Sequence, residues 1–249
     1  MPEIKIIGAG LAGSEAALYL ADKGWKVQLY EMRPKKMTPA HQTGYPAELI
    51  CSNSLKSTLL DTPAGLLKEE LRLLSSKLLP IAENCAVSAG HSLAVDRNLF
   101  AQKVNDAIIH HPNIEFIREE ISTLPAELSI LATGPLTSDN LINALQVVVG
   151  SAHLYFYDAI APIVSADSLN MDKIYFKDRY DKGEPDYLNC SFTEEEYYRF
   201  VEALLTGEIH QPHSFENEMT YEKLKFYENC TPIEELARRG KDTLRFGVM

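Results

Sequence analysis

Gly8, Gly10 and Gly13 stand at the spacing that closes a peptide backbone around a pyrophosphate, and Glu31 follows 18 residues after the last of them. The first glycine allows the tight turn, the second lets the backbone approach the phosphates, and the third lets a helix pack closely on a strand. A helix that begins there adds its positive end to the attraction for an anion. An acid at the position of Glu31 accepts hydrogen bonds from an adenosine ribose. These residues predict an adenine dinucleotide held by Gly8, Ala9, Gly10, Leu11, Ala12 and Gly13, with Glu31 at the ribose. The competing reading is a glycine turn that binds nothing, because the spacing alone recurs by chance.

The flanking sequence decides between them. Glu3–Ile7 is a β-branched run that stops at Gly8, and Ser14–Asp22 is rich in Ala and Leu. Gly24 ends that helical pattern, and Trp25–Tyr30 alternates apolar with polar before Glu31. Strand, glycine turn, helix and strand thus make a βαβ unit in about 30 residues. Leu128–Ala132 reads as a further, buried strand that runs into Thr133 and Gly134, small residues at a strand end where a dinucleotide would again meet the backbone.

Other elements surround this unit. Leu67, Leu71, Leu74 and Leu78 fall at spacings of four, three and four, which predicts one amphipathic helix over Gly65–Leu79 ended by Pro80. Asp96 precedes a helical pattern carrying Phe100, Val104, Ala107 and Ile108, followed by a strand at Ile114–Arg118. After about Tyr155 the texture turns to Tyr, Phe and Asp with short β-like pieces such as Lys173–Lys177. Thr193 and Glu196 fit a capping box that opens a helix holding Tyr197, Phe200, Val201, Leu204 and Leu205. The expected fold is α/β: a Rossmann-like dinucleotide domain over 1–154 and an α+β second domain from 155 to 249.

Charge and composition exclude several classes. The 249 residues carry 24 Lys plus Arg against 35 Asp plus Glu, a formal charge of −11, which argues against a generally basic nucleic-acid binder. Eight of those negative charges fall between Thr193 and Glu235, and a basic stretch follows at Arg238, Arg239, Lys241 and Arg245. That stretch reads either as a phosphate-meeting patch or as a solvated helix end. At 45% hydrophobic and 24% charged the chain is globular rather than disordered. No run reaches the 18 or so apolar residues of a membrane helix, and no metal site is expected. Cys51, Cys85, Cys190 and Cys230 lie far apart without a Cys-x-x-Cys pair, which points to a reducing compartment and hence the cytoplasm. Cys85 and Cys190 read as small core hydrophobes.

Many segments together resemble the folate- and flavin-dependent tRNA (uracil-5-)methyltransferase family, TrmFO, formerly the small Gid protein. The match runs through Ile6–Ala17, Tyr30–Pro34, Thr38–His41, Glu48–Leu55, Gly65–Glu70, Leu93–Arg97 and Leu131–Ser138, then Leu154–Asp158, Asp178–Gly183, Tyr187–Cys190 and Cys230–Glu235. The resemblance implies FAD in the glycine site, methylenetetrahydrofolate as carbon donor, NAD(P)H as reductant, and the T-loop uridine of tRNA, in the T-arm, as substrate. It places the two catalytic cysteines at Cys51 and Cys230. Such chemistry needs a thiolate, because uracil C5 becomes nucleophilic only after a nucleophile adds at C6. One cysteine would attack C6 and the other would assist loss of the C5 proton or hold the adduct. The resemblance also makes His41 and Asn53 candidates for orienting groups near the flavin ring, with turn stabilisation as the competing role, and adds Arg97 as a further candidate.

Two departures stand out. His91–Ser92 follows Gly90 where the family pattern has another glycine. Family members are also longer, so the resemblance implies that the second domain is inserted and that the C-terminal return to the flavin domain is missing, leaving an incomplete enzyme. A ribosomal-RNA uracil methyltransferase, another FAD-dependent oxidoreductase and a non-catalytic product remain the alternatives.

Overall fold

The computed structural model describes residues 1–50, 52–149, 164–177, 187–208 and 233–245. In chain order the strands are β1 (Glu3–Ile7), β2 (Lys26–Tyr30), β3 (Ser54–Ser57), β4 (Ala86–Val87), β5 (Ser92–Val95), β6 (Ile114–Ile117), β7 (Ser129–Leu131), β8 (Ile174–Phe176) and β9 (Leu188–Cys190). The α-helices are α1 (Leu11–Asp22), α2 (Pro63–Leu73), α3 (Leu78–Glu83), α4 (Arg97–Ile109), α5 (Asp139–Val149), α6 (Glu194–Thr206) and α7 (Ile233–Arg239). The described residues fall into two compact units, 1–149 with Tyr187, and 164–177 with 188–208 and 233–245.

The first unit is built on a parallel sheet in the order β6-β2-β1-β7. β1 pairs β2 with Ile6 opposite Leu29, and β7 with Ile6 opposite Ile130. The βαβ unit forms as its sequence predicts. Parallel neighbours need a crossover, and α1 supplies it. Its buried stripe, Gly13, Ser14, Ala17, Leu18 and Ala21, is mostly small, so the helix lies close on the sheet. α4, capped by Asp96 through the N–H groups of Asn98 and Leu99, adds Phe100, Val104 and Ile108 to a core with Ile6, Val27 and Leu29. A second sheet, antiparallel in the order β3-β5-β4, follows from the segment after Cys51.

Three expectations are corrected. The leucine run is two helices: α2 ends at Leu73, Ser75 takes φ +63°, and α3 begins at Leu78. Pro80 does not end a helix. It sits in the first turn of α3, where no intrahelical N–H is required. The leucine stripe meets the core only in part: Leu78 is buried in it and Leu71 packs against it. Leu67 and Leu74 are 55% and 66% exposed, and the buried residues of α2 are Gly65 and Lys68. Lys68 Nζ donates to the carbonyls of Ser57 and Ala64, which satisfies its ammonium against the backbone while burial pushes its pKa down. Finally, β7 is not a buried strand: it lies at the end of the sheet order among the described residues, with Leu128 and Leu131 exposed.

In the second unit β8 and β9 form an antiparallel ribbon, Tyr175 opposite Asn189. α6 carries the predicted capping box, Thr193 accepting from the Glu196 N–H while Glu196 accepts from the Thr193 N–H. Tyr197 and Val201 of α6 pack with Leu236 and Ala237 of α7 and with Leu244. Cys85 is buried in the first unit, as expected. Cys190 is exposed, because the two-stranded ribbon has too few layers to cover it.

Candidate functional site

The glycine turn joins β1 to α1 with its backbone fully committed on one side and open on the other. Gly8 takes φ +97°, and a Cβ there would meet the Ala132 carbonyl oxygen at 2.5 Å and the Thr133 Cα at 2.8 Å. A Cβ on Gly13 would lie 1.8 Å from the Gly8 carbonyl oxygen. The turn is therefore packed backbone to backbone against the end of β7, where Thr133 and Gly134 stand. Thr137 Oγ1 donates to the Gly134 carbonyl at 2.8 Å and lies 2.6 Å from Thr133 Oγ1, whose hydroxyl can donate to it, which fixes that corner.

The opposite side is different. Gly10 is the N-cap of α1 and provides no side-chain cap. A Cβ on Gly10 would meet nothing within 4 Å. The first hydrogen bond into the helix is from the Ser14 N–H to the Gly10 carbonyl, so the N–H groups of Leu11, Ala12 and Gly13 have no acceptor among the described residues. No acid occupies the first turn. Three bare donors at a helix N-terminus with open space beside them fit an anionic pyrophosphate.

Ala9 faces inward. Its N–H donates to Glu31 Oε2 at 3.1 Å, and its carbonyl accepts from the Ala47 N–H at 2.8 Å and from Ser14 Oγ at 3.1 Å. Glu31 sits just beyond the end of β2 and is buried. Its Oε1 accepts from the Arg33 N–H and Nε, and its Oε2 accepts from Ala9 and from Arg33 Nη2. Burial raises the Glu31 pKa, but the hydrogen bonds and charge of Arg33, together with the Arg33 and Ala9 amides, outweigh it and hold the carboxyl below its ordinary value. All four acceptor positions of this carboxylate are thus filled by the protein. A ribose hydroxyl would have to replace one of those donors.

Arg33, 2% exposed, is the central cation. Besides Glu31 it reaches Glu48 Oε2 from Nη1 at 3.1 Å. Arg118, at the end of β6, donates to the carbonyls of Arg33 and Gly44 and lies over the Phe116 ring. Sequence reasoning missed Arg33, Glu48 and Arg118. The Glu31-x-Arg33 spacing was a readable signal, since alternate residues of extended chain point the same way. Nothing in the spacing pointed to Glu48 or Arg118.

The remaining predicted residues are scattered. His41 Nδ1 lies 2.6 Å from Thr38 Oγ1, and the His41 N–H donates to the same oxygen, within the loop after β2. Asn53 is strapped to β5: its Nδ2 donates to the Val95 carbonyl and its own carbonyl accepts the Val95 N–H. Arg97 opens α4, half-buried, with no hydrogen bond or ion pair of its side chain among the described residues. Cys51 and Cys230 lie outside the described residues. Glu15 of α1 is turned away from the glycine turn and caps α3 through the N–H groups of Lys77 and Leu78 and the Ser76 hydroxyl.

In the second unit a hollow of about 560 Å³ is lined by Lys173, Cys190, Phe192, Glu196, Arg199 and Phe200. The C-terminal cations are in part helix-end chemistry. Arg238 and Arg239 close α7, where cations complement the helix dipole, and Arg245 pairs with Asp242. Among the described residues no cluster of ligands for a metal ion is found, and no helix is long and apolar enough to cross a membrane.

Comparison with known proteins decides the family. A family model described as glucose inhibited division protein A matches residues 3–249. The chain belongs to that family. Among curated members, the methylenetetrahydrofolate--tRNA-(uracil-5-)-methyltransferase TrmFO of Anoxybacillus flavithermus is 52% identical over 247 residues, covering 99% of this chain and 56% of the relative. The protein of the same name from Halalkalibacterium halodurans is 53% identical, covering 100% and 56%. That of Bacillus subtilis is 53% identical, covering 99% and 55%. The chain therefore spans little more than half the length of these relatives. A solved GidA structure from Aquifex aeolicus is similar at a TM-score of 0.41 and 14% identity, over 50% of this chain and 21% of that one.

Proposed function

We propose that this chain forms the FAD-binding front part of a folate-dependent tRNA (uracil-5-)methyltransferase. The observation that carries the reading is identity above 50% across the whole chain to proteins named for that activity. The glycine turn supports it physically. The N–H groups of Leu11, Ala12 and Gly13 would hold the pyrophosphate beside Gly10, with Gly8 and Gly13 setting the turn and Thr133 and Gly134 closing it from β7. Ala9 and Glu31 would shape the adenosine side. Residues 1–154 would be the dinucleotide domain and 155–249 part of a second, substrate-facing domain.

Bound FAD would supply the redox chemistry between NAD(P)H and the one-carbon unit of methylenetetrahydrofolate. The protein's part is nucleophilic. A thiolate from Cys51 or Cys230 adds to C6 of the T-loop uridine in the T-arm of tRNA, which makes C5 a carbon nucleophile. C5 then bonds to the one-carbon unit as that unit leaves its carrier, the partner cysteine takes the displaced C5 proton or holds the adduct, and loss of the thiolate together with a two-electron reduction, which bound FAD would supply, gives 5-methyluridine. His41 and Asn53 order their own loops through Thr38 and Val95, and Arg97 is kept as a further candidate. The setting is cytoplasmic, where thiols stay reduced.

Two measurements test this. Purified protein should be yellow, or should gain a flavin spectrum and thermal stability with FAD; a colourless chain indifferent to FAD overturns the cofactor. Tritium release from C5-labelled uridine in tRNA, with folate donor and NAD(P)H, tests the reaction, and Cys51→Ala and Cys230→Ala should each abolish it. Release from ribosomal RNA instead of tRNA would move the substrate assignment.

A further inference from the structure

The loop after β2 returns to the glycine turn at Ala47 and Glu48, and these two adjacent residues reach Ala9 by separate routes. Ala47 donates its N–H directly to the Ala9 carbonyl at 2.8 Å, and it does so from φ +52°, a left-handed conformation that a non-glycine residue adopts only when its surroundings hold it there. Glu48 acts through side chains. Its Oε2 takes Arg33 Nη1, Arg33 clasps Glu31, and Glu31 takes the Ala9 N–H. Glu48 also folds its own loop. It accepts from the Gln42 N–H at 2.8 Å, the Thr43 N–H at 3.1 Å and the Thr43 hydroxyl at 2.7 Å.

We propose that Glu48 is a positioning residue for the dinucleotide site: it anchors the 42–48 loop as a clamp that fixes Ala9 from both sides and so sets the shape of the glycine turn. The proposal rests on the dinucleotide reading for its functional consequence, and on hydrogen bonds alone for its mechanics. Arg33 turns Nε and Nη2 to Glu31 and Nη1 to Glu48, so removal of Glu48 keeps the ion pair with Glu31 but leaves a buried N–H edge short of a strong acceptor. Without Glu48, Arg33 Nη1 keeps only the Thr43 carbonyl at 3.4 Å, and Thr43 belongs to the loop that Glu48 itself folds. Both routes to Ala9 then loosen together. Leu11, Ala12 and Gly13 follow Ala9 closely in the chain, so the direction of their free N–H groups depends on the same clamp.

All four groups that face Glu48 are donors, which makes two substitutions informative. In Glu48→Gln the amide oxygen can keep the Arg33 and Thr43 side while its NH₂ replaces the acceptor of the Gln42 N–H, so part of the anchor survives. In Glu48→Ala none does. Residue-resolved amide exchange by NMR on the full chain, with and without ADP as the probe for the adenosine and pyrophosphate half, separates the possibilities. The expected result is faster exchange at the Ala9 amide, larger in Glu48→Ala than in Glu48→Gln, with the amides of Ala17–Ala21 and Ile4–Ile6 unchanged. ADP affinity should fall about tenfold in Glu48→Ala, the scale of one charged hydrogen bond, and less in Glu48→Gln. If Ala9 loosens as described but the unsubstituted chain binds neither ADP nor FAD, the clamp stands and the dinucleotide reading falls. Unchanged Ala9 exchange, or a uniform loss of protection across α1 and β1, overturns the clamp. Should Glu48→Ala fail to fold, the Ala9 exchange of Glu48→Gln distinguishes the same outcomes.

Discussion

The α-carbon of Gly13 packs against the carbonyl of Gly8 so closely that a methyl group there would stand 1.8 Å from the oxygen. Helix and turn touch backbone to backbone, and this contact brings the start of α1 to the end of β1.

Gly13→Ala should therefore destabilise the fold by roughly 1–3 kcal/mol, the usual range for forced overpacking. Gly10→Ala should cost less, about 0.5–1 kcal/mol for the poorer N-cap residue, because its φ of −70° suits any residue and the space beside it is open. The same methyl would intrude where the pyrophosphate is proposed to lie, so FAD retention should drop. Urea midpoints and flavin absorbance on the two variants give the comparison, and equal stability losses would contradict it.

Acid should weaken the first unit through Glu31. Its carboxyl lies below the ordinary value near 4.5 in the folded chain. A depressed folded-state pKa contributes stability that is complete above the unfolded value and is lost as pH falls through the folded one. The Glu31 contribution is therefore whole at neutral pH and declines on the acid side of about 4.5. Glu31→Gln should be less stable at neutral pH and show a flatter acid limb. Denaturant midpoints across that range decide the matter, and parallel curves for the two proteins would refute the assignment.

Local signals carried most of what the sequence could tell. Asp96 and Thr193 were readable as caps because a cap is set by residues two and three positions away, and the glycine turn was readable because β1, α1 and β2 are consecutive. The leucine spacing was only half informative, because periodicity marks a stripe without saying how far it reaches into the core: Leu71 packs there and Leu67 stays exposed. Only the fold shows that Lys68, held by the Ser57 and Ala64 carbonyls, takes the inner place. Arg33 with Glu48, and Arg118 with the Gly44 carbonyl, close over loops and strand ends far apart in sequence, and no spacing rule encodes such a closure.

Thr193→Ala should cost about 1 kcal/mol, the typical loss for an N-cap hydroxyl, and Thr193→Ser should restore most of it. The loss should show as faster amide exchange in the first turn of α6. Retained protection there would mean that Tyr197 and Val201, rather than the capping box, hold that end of the helix.

The two described cysteines should separate under thiol labelling. Cys190 is exposed, whereas Cys85 is buried and its thiol is pushed up by burial. Maleimide treatment of folded protein followed by peptide mass mapping should find Cys190 modified quickly and Cys85 only after denaturant is added. Equal labelling rates would place Cys85 in a far more open setting than the core contacts show.

Ala9 also bears on how portable a fingerprint is. Its amide and its carbonyl are spent on Glu31, Ala47 and Ser14, so the six residues from Gly8 to Gly13 do not hold their own shape. Grafted onto a foreign strand and helix without the 31–48 stretch, they would bring a sequence match and no receptor. The turn keeps its shape through the reach from Ile6 to Glu48 together with Ala132 and Thr133 beyond β7, and a designer seeking to move the site would have to move all of it.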